Sequence, residues 1–173
     1  MTGAANDSFD FPSPEVVQPA ALGEPGDRLF LLHVVHDGMP VLFKLEKTQV
    51  AALCDYLAGI LEDLPPVDPS DVPPDPGPPD PASAITSWPI GSLAVAFEEA
   101  EDRILLVAEP FGDDERDDVL IDDDVPTARI RMTRPQVAAF IRTGRELVAA
   151  GRQPCPLCGL PLGPGRHACP RMN

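Results

Sequence analysis

Two segments of the chain share one pattern of apolar and polar positions, 87 residues apart. They also share the letters Gln-Val-Ala-Ala, at residues 49–52 and 136–139. The apolar positions have the spacing of one face of an amphipathic helix, and the second copy has a single gap at Gly144. These positions are Val50, Leu53, Cys54, Leu57, Ile60 and Leu61 in the first copy, and Val137, Phe140, Ile141, Gly144, Leu147 and Val148 in the second. The pattern predicts two equivalent helices.

A strand with alternating apolar positions precedes each predicted helix, which is typical of a half-buried strand. The apolar positions are Val41, Phe43 and Leu45 in the first copy and Ala128, Ile130 and Met132 in the second, where Arg129 and Arg131 stand between them. Thr48 is a candidate cap for the first helix. Thr133 is the predicted cap of the second, with Pro135 in its first turn.

Further upstream the copies still match, but at a different offset. Residues 27–32 resemble residues 102–107, 75 positions apart, and each segment is preceded by another predicted strand, at 16–22 and 92–98. Short turns join these strands, among them an Asp37-Gly38 hairpin signal. The change of offset from 75 to 87 indicates an insertion in the second copy, at about residues 112–125.

The pattern therefore predicts an α+β fold of duplicated β-β-β-α units with pseudo-twofold symmetry and mainly antiparallel sheet. One meander with one helix is too small to be stable alone, so the two units are expected to pack together. The predicted parts are an N-terminal arm at 1–14, a first repeat at 15–64, a Pro/Asp-rich linker at 65–89, a second repeat at 90–150 with an acidic loop at 112–125, and a tail at 151–173.

The predicted linker is rich in proline, with nine prolines between residues 65 and 81. Its other residues include four aspartates and only two large apolar side chains, both valine. This composition is typical of a solvated, polyproline-like spacer. A role as a ligand for SH3-type domains is disfavoured because the flanking residues are acidic rather than basic.

Charge divides the chain into an acidic body and a basic tail. The net charge of -15 opposes nonspecific binding to nucleic acid or to an anionic membrane. The acidic loop is interpreted as a solvated loop, with docking of a basic partner as the alternative, and it lacks the spacing of an EF-hand. Its candidate partner-binding residues are Asp113, Asp114, Asp117 and Asp118; those of the tail, which has no acidic residue, are Arg152, Arg166 and Arg171.

The tail contains the most specific chemical pattern of the chain, C-x2-C-x8-H-x-C. Three thiolates and one imidazole are a complete tetrahedral ligand set for one structural zinc ion. The surrounding prolines and glycines leave the tail almost no apolar core, so an ion would have to organise it into a zinc-ribbon-like knuckle. The predicted ligands are Cys155, Cys158, His167 and Cys169.

Other interpretations of these cysteines are weaker. A thioredoxin-like site needs a helix after its C-x-x-C, whereas Gly-Leu-Pro-Leu-Gly-Pro-Gly follows here. A disulfide would imply export, and residues 1–20 have neither basic residues nor an apolar core of a signal peptide. A catalytic zinc ion normally keeps an open position, which four protein ligands do not leave. Cys54 occupies the position of Ile141 in the repeat, so we expect it to be a small core residue rather than a fifth ligand.

No catalytic constellation is recognisable in the sequence. His33 and His36 are three residues apart on a predicted strand, so their side chains should point to opposite faces and cannot chelate one ion together. The chain has no G-x-S-x-G, P-loop or G-x-G-x-x-G motif. The sequence leaves an enzymatic role open but favours a protein without one.

The tail resembles the C-terminus of an actinobacterial family of conserved proteins that carries only a domain-of-unknown-function label. The likeness rests on Pro-Cys-Pro-Leu-Cys-Gly-Leu-Pro-Leu at 154–162 and His-Ala-Cys-Pro-Arg at 167–171. Weaker matches lie at 9–12, 23–28 and 45–50. The resemblance implies an actinobacterial, cytoplasmic protein of uncharacterised role, and a protein partner that is kinase-like or phosphatase-like and encoded nearby.

The sequence favours a non-enzymatic interaction or adaptor protein with one structural zinc ion. The alternatives are a hydrolase-type enzyme with a site between the repeats, and a weak nucleic-acid binder acting through the basic tail. No apolar run reaches the ~18 residues that span a bilayer, so a soluble, cytoplasmic protein without a membrane role is expected.

Overall fold

The computed structural model describes residues 7–111, 125–151, 155–158 and 169–171. Within these ranges the chain forms eight strands, two α-helices and one turn of 3-10 helix at Pro69–Asp71. The strands are β1 (Phe9–Phe11), β2 (Val16–Leu22), β3 (Leu29–His36), β4 (Met39–Leu45), β5 (Ile85–Thr86), β6 (Ile90–Glu98), β7 (Arg103–Pro110) and β8 (Ala128–Met132). The helices are α1 (Lys47–Glu62) and α2 (Arg134–Ala149).

The strands form two four-stranded sheets, which confirms the predicted α+β class. The first sheet has the order β2-β3-β4-β5, and the second has the order β1-β8-β7-β6. In each sheet three consecutive strands form an antiparallel meander. Asp37 and Gly38, both with positive φ, form the predicted turn between β3 and β4.

The fourth strand of each sheet comes from the other half of the chain. β1 precedes the first meander but pairs in parallel with β8, and Phe9 lies opposite Ala128. β5 precedes the second meander but pairs in parallel with β4, and Ile85 lies opposite Val41. The two halves are therefore joined by an exchange of short strands as well as by side-chain packing.

One hydrophobic core lies between the two sheets and the two helices. The alternating strand positions face it as predicted: Val41, Phe43 and Leu45 of β4 and Ala128, Ile130 and Met132 of β8 are all buried. The helical stripes are also confirmed at Val50, Leu53, Cys54 and Leu57 of α1 and at Val137, Phe140, Ile141 and Gly144 of α2.

The N-terminal arm is anchored in this core by aromatic contacts. The ring of Phe43 lies 4.9 Å from that of Trp88 and 5.4 Å from that of Phe9. The indole Nε1 of Trp88 donates a hydrogen bond of 3.0 Å to the backbone carbonyl of Asp7. The described part of the arm is therefore packed on the body through β1.

In each helix, the third residue is a glutamine whose side chain bonds back to the N-cap residue. Thr133 caps α2 as predicted, and its Oγ1 accepts from the backbone N–H of Gln136 at 3.2 Å. The prediction that Thr48 caps α1 is wrong, because the helix begins earlier and Glu46 is its N-cap. Gln49 Oε1 accepts from the backbone N–H of Glu46 at 2.7 Å, which satisfies a donor that the helix itself leaves unpaired.

The two helices cross where one of them has no side chain. A Cβ atom on Gly144 of α2 would collide with the sulfur of Cys54 on α1, and would lie 3.3 Å from Cγ of Pro19. The gap in the apolar stripe of α2 is therefore a point where the two helices approach closely. Cys54 is 1% exposed, and burial raises the pKa of its thiol to about 11, as expected for a core residue.

The proline-rich segment contacts the body at several points, while most of its residues are exposed, as the predicted solvated spacer implies. It covers the outer face of the first sheet, where Ala20, Leu31 and Leu42 form a second, small apolar cluster. Pro79 is buried, and Gln18 Nε2 donates to the carbonyl oxygen of Gly77 at 2.8 Å. The segment therefore contacts the outer face of this sheet near Gly77 and Pro79.

Gly144→Ala should destabilise the protein, although alanine is the better helix former. Overpacking against Cys54 costs about 1–3 kcal/mol and exceeds the helix-propensity gain of about 1 kcal/mol. Urea unfolding should show a smaller loss from Gly144→Ala in a Cys54→Ala background, because the colliding sulfur is gone. Gly59→Ala on α1, where a Cβ meets nothing, is the control and should stabilise. Equal effects of the two glycine substitutions would contradict this helix contact.

Acidification should destabilise the protein through His33. Burial lowers the pKa of His33 below its usual range, so the folded chain binds fewer protons than the unfolded chain. Stability is then fully present above the unfolded-state pKa of about 6.5 and falls as the pH drops below it. Urea unfolding between pH 7.5 and 5 should show a smaller decrease for His33→Gln than for the parent chain. An identical pH dependence of the two proteins would rule out this contribution.

Candidate metal centre and surface grooves

The structure brings together three of the four predicted metal ligands. The Sγ atoms of Cys155, Cys158 and Cys169 all lie within 4.8 Å of one another. The pair Cys155 and Cys169 is 3.9 Å apart, far longer than a disulfide bond. Thiolates bound to one tetrahedral zinc ion at 2.3 Å lie about 3.8 Å from each other. The spacing of the three sulfurs can therefore hold a metal ion of this kind.

A tight turn positions the first two sulfurs. Residues 156–158 form this turn, and Cys155 at its start is 6% exposed. The backbone N–H of Cys158 and then that of Leu157 bond to the Cys155 sulfur and lower its pKa to about 6. These hydrogen bonds favour the thiolate form of Cys155, the form in which a thiol binds metal. Backbone N–H groups that point at a thiolate also fix its position, as outer-shell donors do in metal sites.

Most of the other predicted site residues lie outside the residues that the structure describes. His167, Arg152 and Arg166 lie outside the described residues, as do Asp113, Asp114, Asp117 and Asp118 of the predicted acidic loop. Arg171 is described and exposed, two residues after Cys169. Cys54 lies in the main core between the helices.

The two histidines of β3 lie on opposite faces of the first sheet, as predicted. His33 is buried on the outer face, 8% exposed, with its Nδ1 3.3 Å from Nε2 of Gln18. His36 faces the side of the main core, where its ring meets that of Phe11 edge-on at 5.9 Å. Neither histidine has a carboxylate or thiol partner that is buried with it among the described residues, since the ion pair of His36 is with the exposed Asp37.

An open groove of about 550 Å³ lies between α1 and β6. Its residues on α1 are Gln49, Ala52, Leu53 and Tyr56, and those on β6 are Gly91, Leu93, Ala94 and Val95. Tyr56 is 59% exposed, and no acidic, basic or histidine side chain is among these lining residues. The sequence pattern does not predict this groove, because Tyr56 occupies the polar side of an amphipathic helix, where an exposed residue is ordinary.

A second groove lies between α2 and β2, and the proline-rich segment fills it. We call it the linker groove; its remaining volume is about 60 Å³. Residues 73–76 form one wall, opposite Gln136, Ala139 and Thr143 of α2. Arg142 Nη2 donates to the carbonyl oxygen of Pro73 at 3.1 Å, which ties the segment to the helix.

Comparison with known proteins identifies the family of the chain. A family model described as "Protein of unknown function (DUF3090)" matches residues 9–169, most of the chain. The chain therefore belongs to this family. No curated protein and no solved structure gives a significant match. Across the described residues, neither helix is both long enough and apolar enough to cross a membrane.

Proposed function

We propose that this member of the DUF3090 family is a non-enzymatic protein-interaction protein whose C-terminal tail is held by one structural zinc ion. The observation that carries the proposal is the convergence of Cys155, Cys158 and Cys169 around one point. In sequence, these cysteines lie in a segment with few large apolar residues. A metal ion is the means by which such a segment gains a fixed shape.

Zinc is the metal that best suits this donor set. Thiolates are soft ligands that favour zinc over the oxygen-preferring cations. His167 would supply the fourth ligand from within the same tail, as its sequence spacing predicts. Four protein ligands leave no position for a reacting water, so the ion would have a structural role and the tail would present a fixed surface.

The distribution of charge supports a protein partner. The whole chain has a net charge of -15, yet residues 147–173 contain no acidic residue and three arginines, Arg152, Arg166 and Arg171. A basic tail on an acidic body is suited to a protein partner with an acidic surface patch, while the net negative charge of the body repels phosphate groups. A kinase-like or phosphatase-like protein encoded nearby is the partner proposed here.

We also propose that the two halves arose by duplication and retain pseudo-twofold symmetry. The helices begin and end at positions 87 apart, Lys47–Glu62 and Arg134–Ala149. The exchanged strands pair at Val41 and Ala128, which are also 87 apart. The repeat is therefore supported by the bounds of the helices and by the strand pairing between the halves, in addition to the sequence match.

Purified protein should contain about one equivalent of zinc per chain. Elemental analysis of zinc-replete preparations should show this value for the parent chain and a large loss for Cys158→Ala, because three remaining ligands bind far more weakly. Cys54→Ala is the matched control and should retain the metal, since Cys54 lies in the core of the body. A parent chain with well under half an equivalent, or a Cys158→Ala variant with full metal, would refute the zinc assignment.

Loss of the metal site should remove partner binding while the body stays folded. Affinity capture from the native host should recover a defined protein with the parent chain and with Cys54→Ala, and not with Cys155→Ser/Cys158→Ser. Nuclease treatment should change nothing, and circular dichroism should report a folded body for all three. Capture that depends on nucleic acid would instead favour the nucleic-acid alternative.

A further inference from the structure

The open groove and the linker groove are built from corresponding positions of the two halves. On the helices, Gln49, Ala52 and Tyr56 of the open groove stand 87 residues before Gln136, Ala139 and Thr143 of the linker groove. On the strands, Gly91 and Leu93 stand 76 residues after Glu15 and Val17, and Leu93 and Val17 both pack against the main core. Each groove therefore lies between one helix and the edge strand of the opposite sheet.

The same polar contact defines the floor of both grooves. Gln49 Nε2 donates to the carbonyl oxygen of Ile90 at 3.1 Å, at the start of β6. Gln136 Nε2 donates to the carbonyl oxygen of Pro14 at 2.8 Å, just before β2. Both carbonyls stand at the entrance of an edge strand, so the two sites correspond in their contacts as well as in sequence position.

The linker groove shows what kind of segment this architecture accepts. Residues 73–76 are Pro-Pro-Asp-Pro, and they cross the groove without forming a strand. Val72, just before them, is extended, with φ -69° and ψ 118°. The three prolines of this segment have no N–H to donate, and the carbonyl oxygen of Pro73 accepts from the side chain of Arg142.

We propose that the open groove binds an extended, proline-rich segment of a partner protein that carries basic residues. The proposal rests on the interaction role proposed above and names the partner's chemistry. The groove has room for such a segment, about 550 Å³ against the 60 Å³ that remains in its occupied counterpart. It also presents Tyr56, an exposed aromatic ring of the kind on which proline-rich ligands pack in other recognition domains.

The charge of the ligand follows from one difference between the grooves. Arg142, which holds the acidic linker segment, corresponds to Asp55 on α1. Asp55 is exposed, lies 3.7 Å from Nη2 of Arg145 on α2, and cannot donate a hydrogen bond when ionised. The open groove therefore lacks the cation that suits Pro-Pro-Asp-Pro, and the net charge of -15 favours a ligand with Lys or Arg. The linker of a second copy is accordingly a poor occupant.

Binding of synthetic peptides tests the proposal. Fluorescence polarisation with a labelled peptide of three Pro-Pro-Arg repeats should show saturable binding to the full chain. Peptides with Pro-Pro-Asp or Ser-Ser-Arg repeats should bind at least about fivefold more weakly, because the first has the wrong charge and the second is not pre-organised. Equal binding of the Ser-Ser-Arg peptide would reduce the interaction to charge alone and overturn the proposal.

Variants locate the binding to one groove. Tyr56→Ala and Ala52→Lys should each weaken binding about tenfold or more, the first by removing the aromatic surface and the second by filling the groove with a like charge. Both residues are exposed, so the variants should fold. Thr143→Ala, at the position that corresponds to Tyr56, is the matched control and should bind normally. An unchanged affinity of Tyr56→Ala, or an equal loss in Thr143→Ala, would overturn the proposal.

Two further measurements separate this inference from its alternatives. Sedimentation should show the same monomeric state for the parent chain and Tyr56→Ala; a dimer that Tyr56→Ala dissolves would make a second copy the occupant and overturn the proposal. Cys155→Ser/Cys158→Ser should bind the peptide as the parent does, because the groove is remote in sequence from the tail. If no peptide binds while metal-dependent partner capture persists, the groove inference fails and the proposed function stands.

Discussion

The side chains of Gln49 and Gln136 each hold the start of a helix against the start of an edge strand in the opposite half. Each amide accepts from a backbone N–H at its own helix cap and donates to a carbonyl of the other meander. A three-stranded meander with one helix cannot bury enough apolar surface to be stable by itself. These two contacts, with the exchanged strands β1 and β5, make the halves one folding unit with a shared core.

The same arrangement explains why the molecule has a filled groove and an open one. Crossing at Gly144 brings the helices close to each other, and each helix then lies along a strand of the other sheet. The proline-rich segment leaves α1 and returns over the outer face of the first sheet, so it covers the groove beside β2 on its way. No described segment passes the groove beside β6, and Tyr56 stays exposed there.

The tail follows a different physical logic from the body. The body is held by apolar burial and by backbone pairing, and its cysteine, Cys54, has a pKa raised to about 11 by burial. In the tail, backbone N–H groups lower the pKa of Cys155 to about 6, and two further sulfurs lie close by. Stability in the body comes from removing apolar groups from water, whereas the tail brings together three sulfur ligands that a metal ion could hold.

The sequence by itself determined the strands and helices whose burial is periodic. Val41, Phe43 and Leu45 alternate in one copy and Ala128, Ile130 and Met132 in the other, and local pattern suffices because the side chains of a strand alternate between faces. The sequence also predicted that Cys155, Cys158 and Cys169 are metal ligands, because ligand spacing within a short tail is a local property.

Only the tertiary structure decided what the periodic elements lie against. The N-cap of α1 is Glu46 and not the predicted Thr48. Gln49 bonds back to Glu46 and also reaches the opposite strand, and this second contact depends on the tertiary structure. The proline-rich segment contacts the outer face of the first sheet through Gly77, and its own composition cannot reveal this contact because the partner, Gln18, lies far away in the sequence. The tertiary structure also places Tyr56 in a groove beside β6. Its surroundings come from residues about 35 or more positions away, and such contacts are set by the packing of the two halves rather than by local pattern.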